Sequence, residues 1–231
     1  MKKKLLALAL VMLFMSAGLF AAKKPQTKIQ NYVSLGGGAD FGWATSKTTV
    51  AGVTISSTTK TNYIPLRADG VNYIGNYFGI NYGIGVNIPI SMYNGDTKVD
   101  DVMDVLPVEF AVRAAFIGRY PVSKNFALGG KFGVAVNGGM MERSSASGSY
   151  STTTKKLTTR FDITLGALCE VAFSDSIGLV AGVDVLFPIS SVVDTTTETK
   201  YSSSTNTTKS KDHPDYKRYG VSPYVGISFM Y

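Results

Sequence analysis

Between residues 78 and 90 the side chains alternate without a break. Phe78, Ile80, Tyr82, Ile84, Val86, Ile88 and Ile90 fall on one face, and Gly79, Asn81, Gly83, Gly85 and Asn87 on the other. A period of two held over that length defines a β-strand, because successive side chains of an extended chain point to opposite faces. The same pattern recurs at 108–120, 126–138, 159–173, 177–187 and 219–231, and less cleanly at 33–43. With a strand over 60–73 the count is eight. In that second strand Asp69-Gly70 is a candidate early end and the even face turns polar at Asn72 and Asn76, so a bulge or a longer turn is expected there.

The two faces differ in charge as well as hydropathy. In the last six strands the apolar face carries no charged residue, although 17% of the chain is charged. The opposite face carries Glu109, Arg113, Arg119, Lys131, Arg160, Asp162, Glu170 and Asp184. A water-soluble barrel puts its charges outside and its apolar side chains in an interior of limited volume. Here the bulky residues share the uncharged face, and much of the charged face is Gly, Ala and Ser. That is the arrangement of a barrel whose outside meets lipid, where one Lys or Arg near the midplane costs ~2–4 kcal/mol. The fold class expected is all-β: a single up-and-down antiparallel transmembrane β-barrel of about eight strands.

The connections alternate in length. Those after strands two, four and six are short, as at 121–125 and 174–176, and those after strands one, three, five and seven are long and rich in Ser, Thr and Asp. In membrane barrels the short turns face the periplasm and the long loops the outside, and an even strand count leaves both termini periplasmic. Tyr73, Tyr77, Phe78, Tyr120, Phe126, Phe173, Phe229 and Tyr231 gather at the expected periplasmic ends, where amphipathic rings suit the interface.

The N-terminus carries Lys2, Lys3 and Lys4, then an apolar run from Leu5 to Phe20, then Ala21 and Ala22, the pattern of a secretory signal. The expected division is a cleaved signal peptide over 1–22, a short periplasmic segment over 23–31 and the barrel over 32–231. No later stretch has the length and hydropathy of a spanning helix. Cys169 is the single cysteine, so no internal disulfide forms. Net charge is +7, but three of those charges leave with the signal, and the remaining mild excess gives no reason to expect a nucleic-acid partner.

Candidate chemistry is sparse. The inward charges Arg67, Glu109, Arg113, Lys131, Arg160, Asp162, Glu170 and Asp184 are expected to form a ladder of ion pairs in the lumen, with Glu109 and Arg113 on one strand facing Lys131 on the next. The reading favoured is a structural plug; the competing one is a gated polar path for small solutes. Asp212, His213 and Asp215 form a loop cluster with one imidazole, read as solvated surface rather than a metal site. Asp96, Asp100, Asp101 and Asp104 are read the same way. Gly36-Gly37-Gly38 is followed by no Lys-Ser or Lys-Thr and reads as strand curvature, not a phosphate loop. Cys169, between Ala167 and Val171 on the apolar face, packs as a small apolar group. No cofactor, metal or catalytic constellation is expected.

The last segment ends in an aromatic after strict alternation. Its Tyr219, Val221, Val225, Ile227, Phe229 and Tyr231 resemble the C-terminal assembly signal of bacterial outer-membrane proteins. The mature chain resembles the small eight-stranded barrels of the OmpA, OmpX and OmpW type, a likeness of architecture with no family-specific motif. The resemblance implies the outer membrane of a Gram-negative-type bacterium, contact with its lipid, handling by the barrel-assembly machinery and a monomeric state. The chain also lacks the His-x-Ser pairing that a lipid deacylase of this size would need.

The segments 45–61, 144–159 and 195–210 are dominated by Ser and Thr with scattered Lys and Tyr, β-prone yet too polar for lipid. Several strand pairs are therefore expected to continue past the membrane as a polar sheet that offers edges and hydroxyls to an extracellular ligand or host surface. The function expected is a structural or surface-interaction (adhesin-like) barrel with a mostly plugged lumen. The alternative is a narrow channel or a lateral-diffusion transporter for small or hydrophobic solutes, with the glycines and Pro223 of strand eight marking a side opening.

Overall fold

The computed structural model describes residues 28–50, 53–104, 106–148, 150–201, 204–212 and 218–231. The expected signal peptide and the residues His213 and Asp215 lie outside them. The strands are β1 Tyr32–Gly38, β2 Asp40–Val50, β3 Val53–Ile74, β4 Phe78–Asn94, β5 Thr97–Lys98, β6 Val108–Pro121, β7 Phe126–Ser147, β8 Tyr150–Ala172, β9 Ile177–Tyr201, β10 Thr205–Asp212 and β11 Arg218–Met230. One 3-10 turn, Val102–Asp104, falls in the acidic loop.

These strands make a ring of eight antiparallel staves. β1 and β2 are one stave, because Gly38 faces Tyr224 and Phe41 faces Val221 in an unbroken register. The interruption at Ala39 lies opposite Pro223, which has no N–H to give to the ladder; Ala39 still donates to the Pro223 carbonyl at 3.1 Å. β10 and β11 follow one another along β9 as the last stave, and β1 pairs with β11 to close the ring. At that seam Gly36 sits opposite Gly226. A Cβ on Gly36 would run into the Val225 carbonyl and the Gly226 Cα, so glycine is what lets the first and last staves meet.

The outer face is apolar and exposed: Ile84 63%, Phe110 66% and Phe116 72%. An uncovered belt of this kind right round a protein is a lipid-facing surface. From Tyr219 to Phe229, a rise of ~3.3 Å per residue and a strand tilt of ~40° give a height of ~25 Å, that of a bilayer's apolar band. Its upper border is a row crossing five strands: Tyr219, Trp43, Lys60, Tyr93 and Lys98, with the Trp43 and Tyr219 rings stacked at 6.4 Å. Its lower border carries Phe78, Phe173, Phe229 and Tyr231.

Three expectations about the strands need correction. Asp69-Gly70 neither ends β3 nor bulges it; pairing with β4 runs on from Asp69↔Gly83 to Ile74↔Phe78. Gly70 leaves room for the Tyr82 ring, and the polar Asn72 is satisfied by the Tyr231 hydroxyl, which donates to its Oδ1 at 2.8 Å. Tyr73 leaves the aromatic border altogether and turns into the lumen, where its hydroxyl donates to Glu170. The bulges lie elsewhere. Tyr63 faces Pro89 while Asn62 faces Ser91, leaving Ile90 extra; Asp162 faces Pro188 while Phe161 faces Ser190, leaving Ile189 extra. Both bulges therefore fall in a Pro-Ile-Ser run, where the proline supplies no donor and the ladder yields a residue.

Above the belt, β6 stops pairing with β7 at Val108↔Met140, but β7 and β8 stay in register to Ser147↔Tyr150, and β8 and β9 to Tyr150↔Tyr201. β10 adds a fourth strand, from Asp212↔Val193 to Thr205↔Lys200. The Ser/Thr-rich segments at 144–159 and 195–210 are thus largely paired strands of one polar sheet, as their β-prone composition leads one to expect. At the other end, residues 28–31 cross the mouth of the barrel. The Lys28 N–H donates to the Lys124 carbonyl at 2.8 Å, the Lys28 Nζ meets Asp175 at 3.0 Å, and the Ile29 side chain is buried in a cluster with Ala127, Ala172 and Met230.

Candidate functional site

Every second residue of each stave points into the lumen, so strand parity decides what fills it. Among the described residues six bases (Arg67, Arg113, Arg119, Lys131, Arg160, Arg218) and six acids (Asp40, Asp69, Glu109, Asp162, Glu170, Asp184) occupy these inward positions, all buried except Arg113, which is half-buried. The interior has no net charge.

They form three layers. Nearest the short-turn mouth, Glu170 accepts from the hydroxyls of Tyr32 (2.8 Å) and Tyr73, with Arg119 Nη1 3.8 Å from its other oxygen. The Arg119 guanidinium lies over the Tyr73 ring at 3.5 Å and donates to the carbonyls of Ile29 and Asn76, so this layer also anchors the segment that crosses the mouth. In the middle layer Asp184 holds Arg67 at 2.9 Å and Lys131 at 2.8 Å, while Arg67 also pairs with Asp69 at 3.0 Å. The Tyr224 ring stacks under Arg67 at 4.0 Å, and its hydroxyl accepts from Lys131 at 3.1 Å.

In the third layer Arg160 bridges Asp162 (2.9 Å) and Glu109 (3.3 Å), and Asn137 donates to Asp162 at 2.8 Å. Beside it, Arg218 pairs with Asp40 and donates to the Thr61 hydroxyl at 2.7 Å. Buried charges paired in this way avoid the several kcal/mol that an uncompensated charge costs.

The pairing differs from the ladder expected. Arg113 does not pair with Glu109, and Lys131 turns to Asp184 rather than to its neighbour strand; Arg113 Nη1 is buried beside Gly85 and has no hydrogen-bond partner among the described residues. Glu109 turns instead to Arg160, two strands away. Asp40, Asp69, Arg218 and the tyrosines 32, 73 and 224 complete the layers and are not among the lumen residues expected from the sequence. Asp40 and Arg218 are 178 residues apart and meet only because the ring closes. One small cavity lies between the lower and middle layers, lined by Ser34, Asp69, Asn81, Lys131 and Tyr224 with Val71, Ile117 and Leu168; its ~10 Å³ is room for about one water.

Outside the lumen the candidates separate. Tyr219, Val225, Ile227, Phe229 and Tyr231 are all exposed on the lipid side of β11, 38–63% accessible, with Val221 half-buried on the same face. Cys169 is half-buried on the outer face opposite Leu128 and Ala181. The side chains of Asp212, His213 and Asp215 lie outside the described residues. Among the described residues no group of three or more His, Cys, Asp and Glu could hold a metal ion. The projecting sheet carries hydroxyls on both faces, such as Ser144 and Thr153, whose oxygens are 3.0 Å apart.

No protein-family model and no curated protein matches the chain. Among solved structures, a major outer membrane protein of Thermus thermophilus matches with a TM-score of 0.51 and 13% identity, over 86% of this chain and 98% of that one. The outer membrane protease OmpT of Escherichia coli (TM-score 0.42, 10% identity, 87% and 96% covered) and the attachment invasion locus protein Ail of Yersinia pestis (0.37, 9%, 87% and 100%) also match. The first of these, with the lipid-facing belt, gives the fold as that of a bacterial outer-membrane β-barrel.

Proposed function

We propose that this outer-membrane barrel works at the cell surface through its projecting hairpins, in a non-catalytic, adhesin-like role, and that its lumen is structural filling. The observation that carries the reading is the four-stranded sheet of β7 to β10, which keeps its pairing far beyond the apolar belt. Long flexible shielding loops would need no such order. Ordered strands with two edges unpaired among the described residues and hydroxyl-rich faces suit contact with another surface. The filled, charge-balanced lumen supports the second half of the reading, since it offers neither a path nor a selectivity field.

A side opening has no supporting feature among the described residues. The seam that would have to part is paired from Tyr32↔Met230 to Gly38↔Tyr224 and again from Phe41↔Val221, and at the interruption between them Ala39 still donates to the Pro223 carbonyl. In biogenesis, the outward alternation of Tyr219, Val221, Val225, Ile227, Phe229 and Tyr231 is the feature we assign to recognition by the barrel-assembly machinery.

The test is attachment of cells displaying the full chain, set against cells displaying a variant in which 142–154 and 195–207 are replaced by tight turns. The reading expects the full chain to confer attachment to abiotic or cellular surfaces and the trimmed barrel, still heat-modifiable on electrophoresis, to lose it. Equal attachment by the two would overturn it.

A further inference from the structure

The two faces of the projecting sheet differ in how their charges are used. On the face continuous with the lipid side, Lys155 is paired with Glu142 at 3.2 Å and Lys200 with Glu198 at 3.2 Å. On the face continuous with the lumen, Arg143 is exposed and Lys156 half-buried, and neither has an ion-pair partner among the described residues. Register brings these two cations together: Arg143 faces Thr154, and Lys156 lies two residues further along β8, which makes them diagonal neighbours ~7–8 Å apart. Around them the register sets rows of hydroxyls, Thr152 opposite Thr199, Thr154 opposite Thr197 and Lys156 opposite Thr195. At the tip the Tyr150 and Tyr201 rings lie 6.0 Å apart. The acid whose register falls on this face, Asp212, is on the far strand opposite Val193.

We infer that this inner face binds an acidic polysaccharide, a refinement that rests on the surface-contact reading above. Two unpaired cations held close together suit the carboxylate or sulfate groups of such a chain. Threonine hydroxyls donate and accept, as sugar hydroxyls do, and they repeat along the strands as sugars repeat along a polymer. The tyrosine rings at the tip offer an apolar face on which a sugar ring stacks. A lipid headgroup is a poorer fit, because this face looks away from the membrane side of the sheet. On the outer face Lys155 and Lys200 are already neutralised, and the exposed Lys209 stands apart from them on the edge strand, opposite Thr196.

The experiment measures binding of heparin, as the acidic polysaccharide, to the full refolded barrel in detergent, beside uncharged dextran and a single-stranded oligonucleotide. The expected result is salt-sensitive heparin binding, none to dextran, weaker binding to the oligonucleotide, and a loss of about tenfold to a hundredfold in the double variant R143S/K156T. The control K155S/K200S, which removes the same charge from the other face, is expected to change affinity less than about threefold. Heat-modifiable mobility in each variant shows that the barrel is folded. Equal loss in the two double variants, equal binding of oligonucleotide and heparin, or no heparin binding would overturn the inference. If heparin fails to bind while trimming the hairpins still abolishes attachment, only this refinement falls; if heparin binds while trimming leaves attachment unchanged, the surface-contact reading falls and the polysaccharide face stands.

Discussion

Arg67 on β3 reaches Asp184 on β9, three staves away round the ring, with Nη1 2.9 Å from Oδ2 across 117 residues of chain. The same carboxylate holds Lys131 at 2.8 Å, so one acid neutralises two bases that enter from different sides of the lumen. Asp184→Asn leaves Lys131 with the Tyr224 hydroxyl and Arg67 with Asp69 alone. The expected cost is about 3–5 kcal/mol, the penalty for breaking a buried pair from one side. Urea unfolding of the refolded protein, followed by the heat-sensitive band, checks it; an unchanged midpoint would count against the middle layer as drawn.

Arg113 and Arg160 are expected to respond in opposite ways. Arg160 bridges two carboxylates, whereas Arg113 buries Nη1 without a hydrogen bond. Arg160→Met strips both Asp162 and Glu109 of their cation and should cost about 3–5 kcal/mol. Arg113→Met removes a costly orphan and should leave the urea midpoint unchanged or higher. Equal destabilisation by both would show that Arg113 has a partner in the folded protein.

How much of this could be read beforehand depends on the range of the interaction. Strand identity and sidedness were legible at Phe78–Ile90 because lipid forbids charge on the outer face, a rule that acts residue by residue. Partners were not. Asp40 meets Arg218 only through closure of the ring, and a one-residue change of register would exchange every inward group for an outward one. Tyr73 was misplaced because ring-ends and inward plugs share residue types; its odd number, shared with Arg67 and Asp69, was the available clue. The bulges had a signal too. Pro-Ile-Ser occurs at 89–91 and again at 188–190, and a proline late in a strand marks a place where a ladder yields.

The lipid-facing belt makes a prediction that a soluble barrel would not share. Ile84 is 63% exposed midway along β4's lipid-facing run, so Ile84→Lys should cost ~2–4 kcal/mol in phospholipid vesicles. Asn94→Lys, at the far end of the same strand beyond the belt, should cost less than about 0.5 kcal/mol. Equal effects of the two substitutions, measured by unfolding in vesicles, would contradict the placement of the belt.

Closure depends on the absence of a side chain at Gly36, where a Cβ would meet the Val225 carbonyl. Gly36→Val should therefore hold the first and last staves apart and yield protein that keeps strand signal by circular dichroism but lacks the compact, heat-modifiable band. Recovery of a normal band would mean that the seam tolerates a wider spacing.

Single-channel recording of the refolded barrel in a planar bilayer is the decisive measurement, because the plug we propose consists of the layers centred on Glu170, Asp184 and Arg160. A plugged lumen gives no conductance steps above the bilayer background over a range of voltage and salt. Stable, ohmic steps from a preparation with the heat-modifiable band would contradict it and show that the lumen conducts.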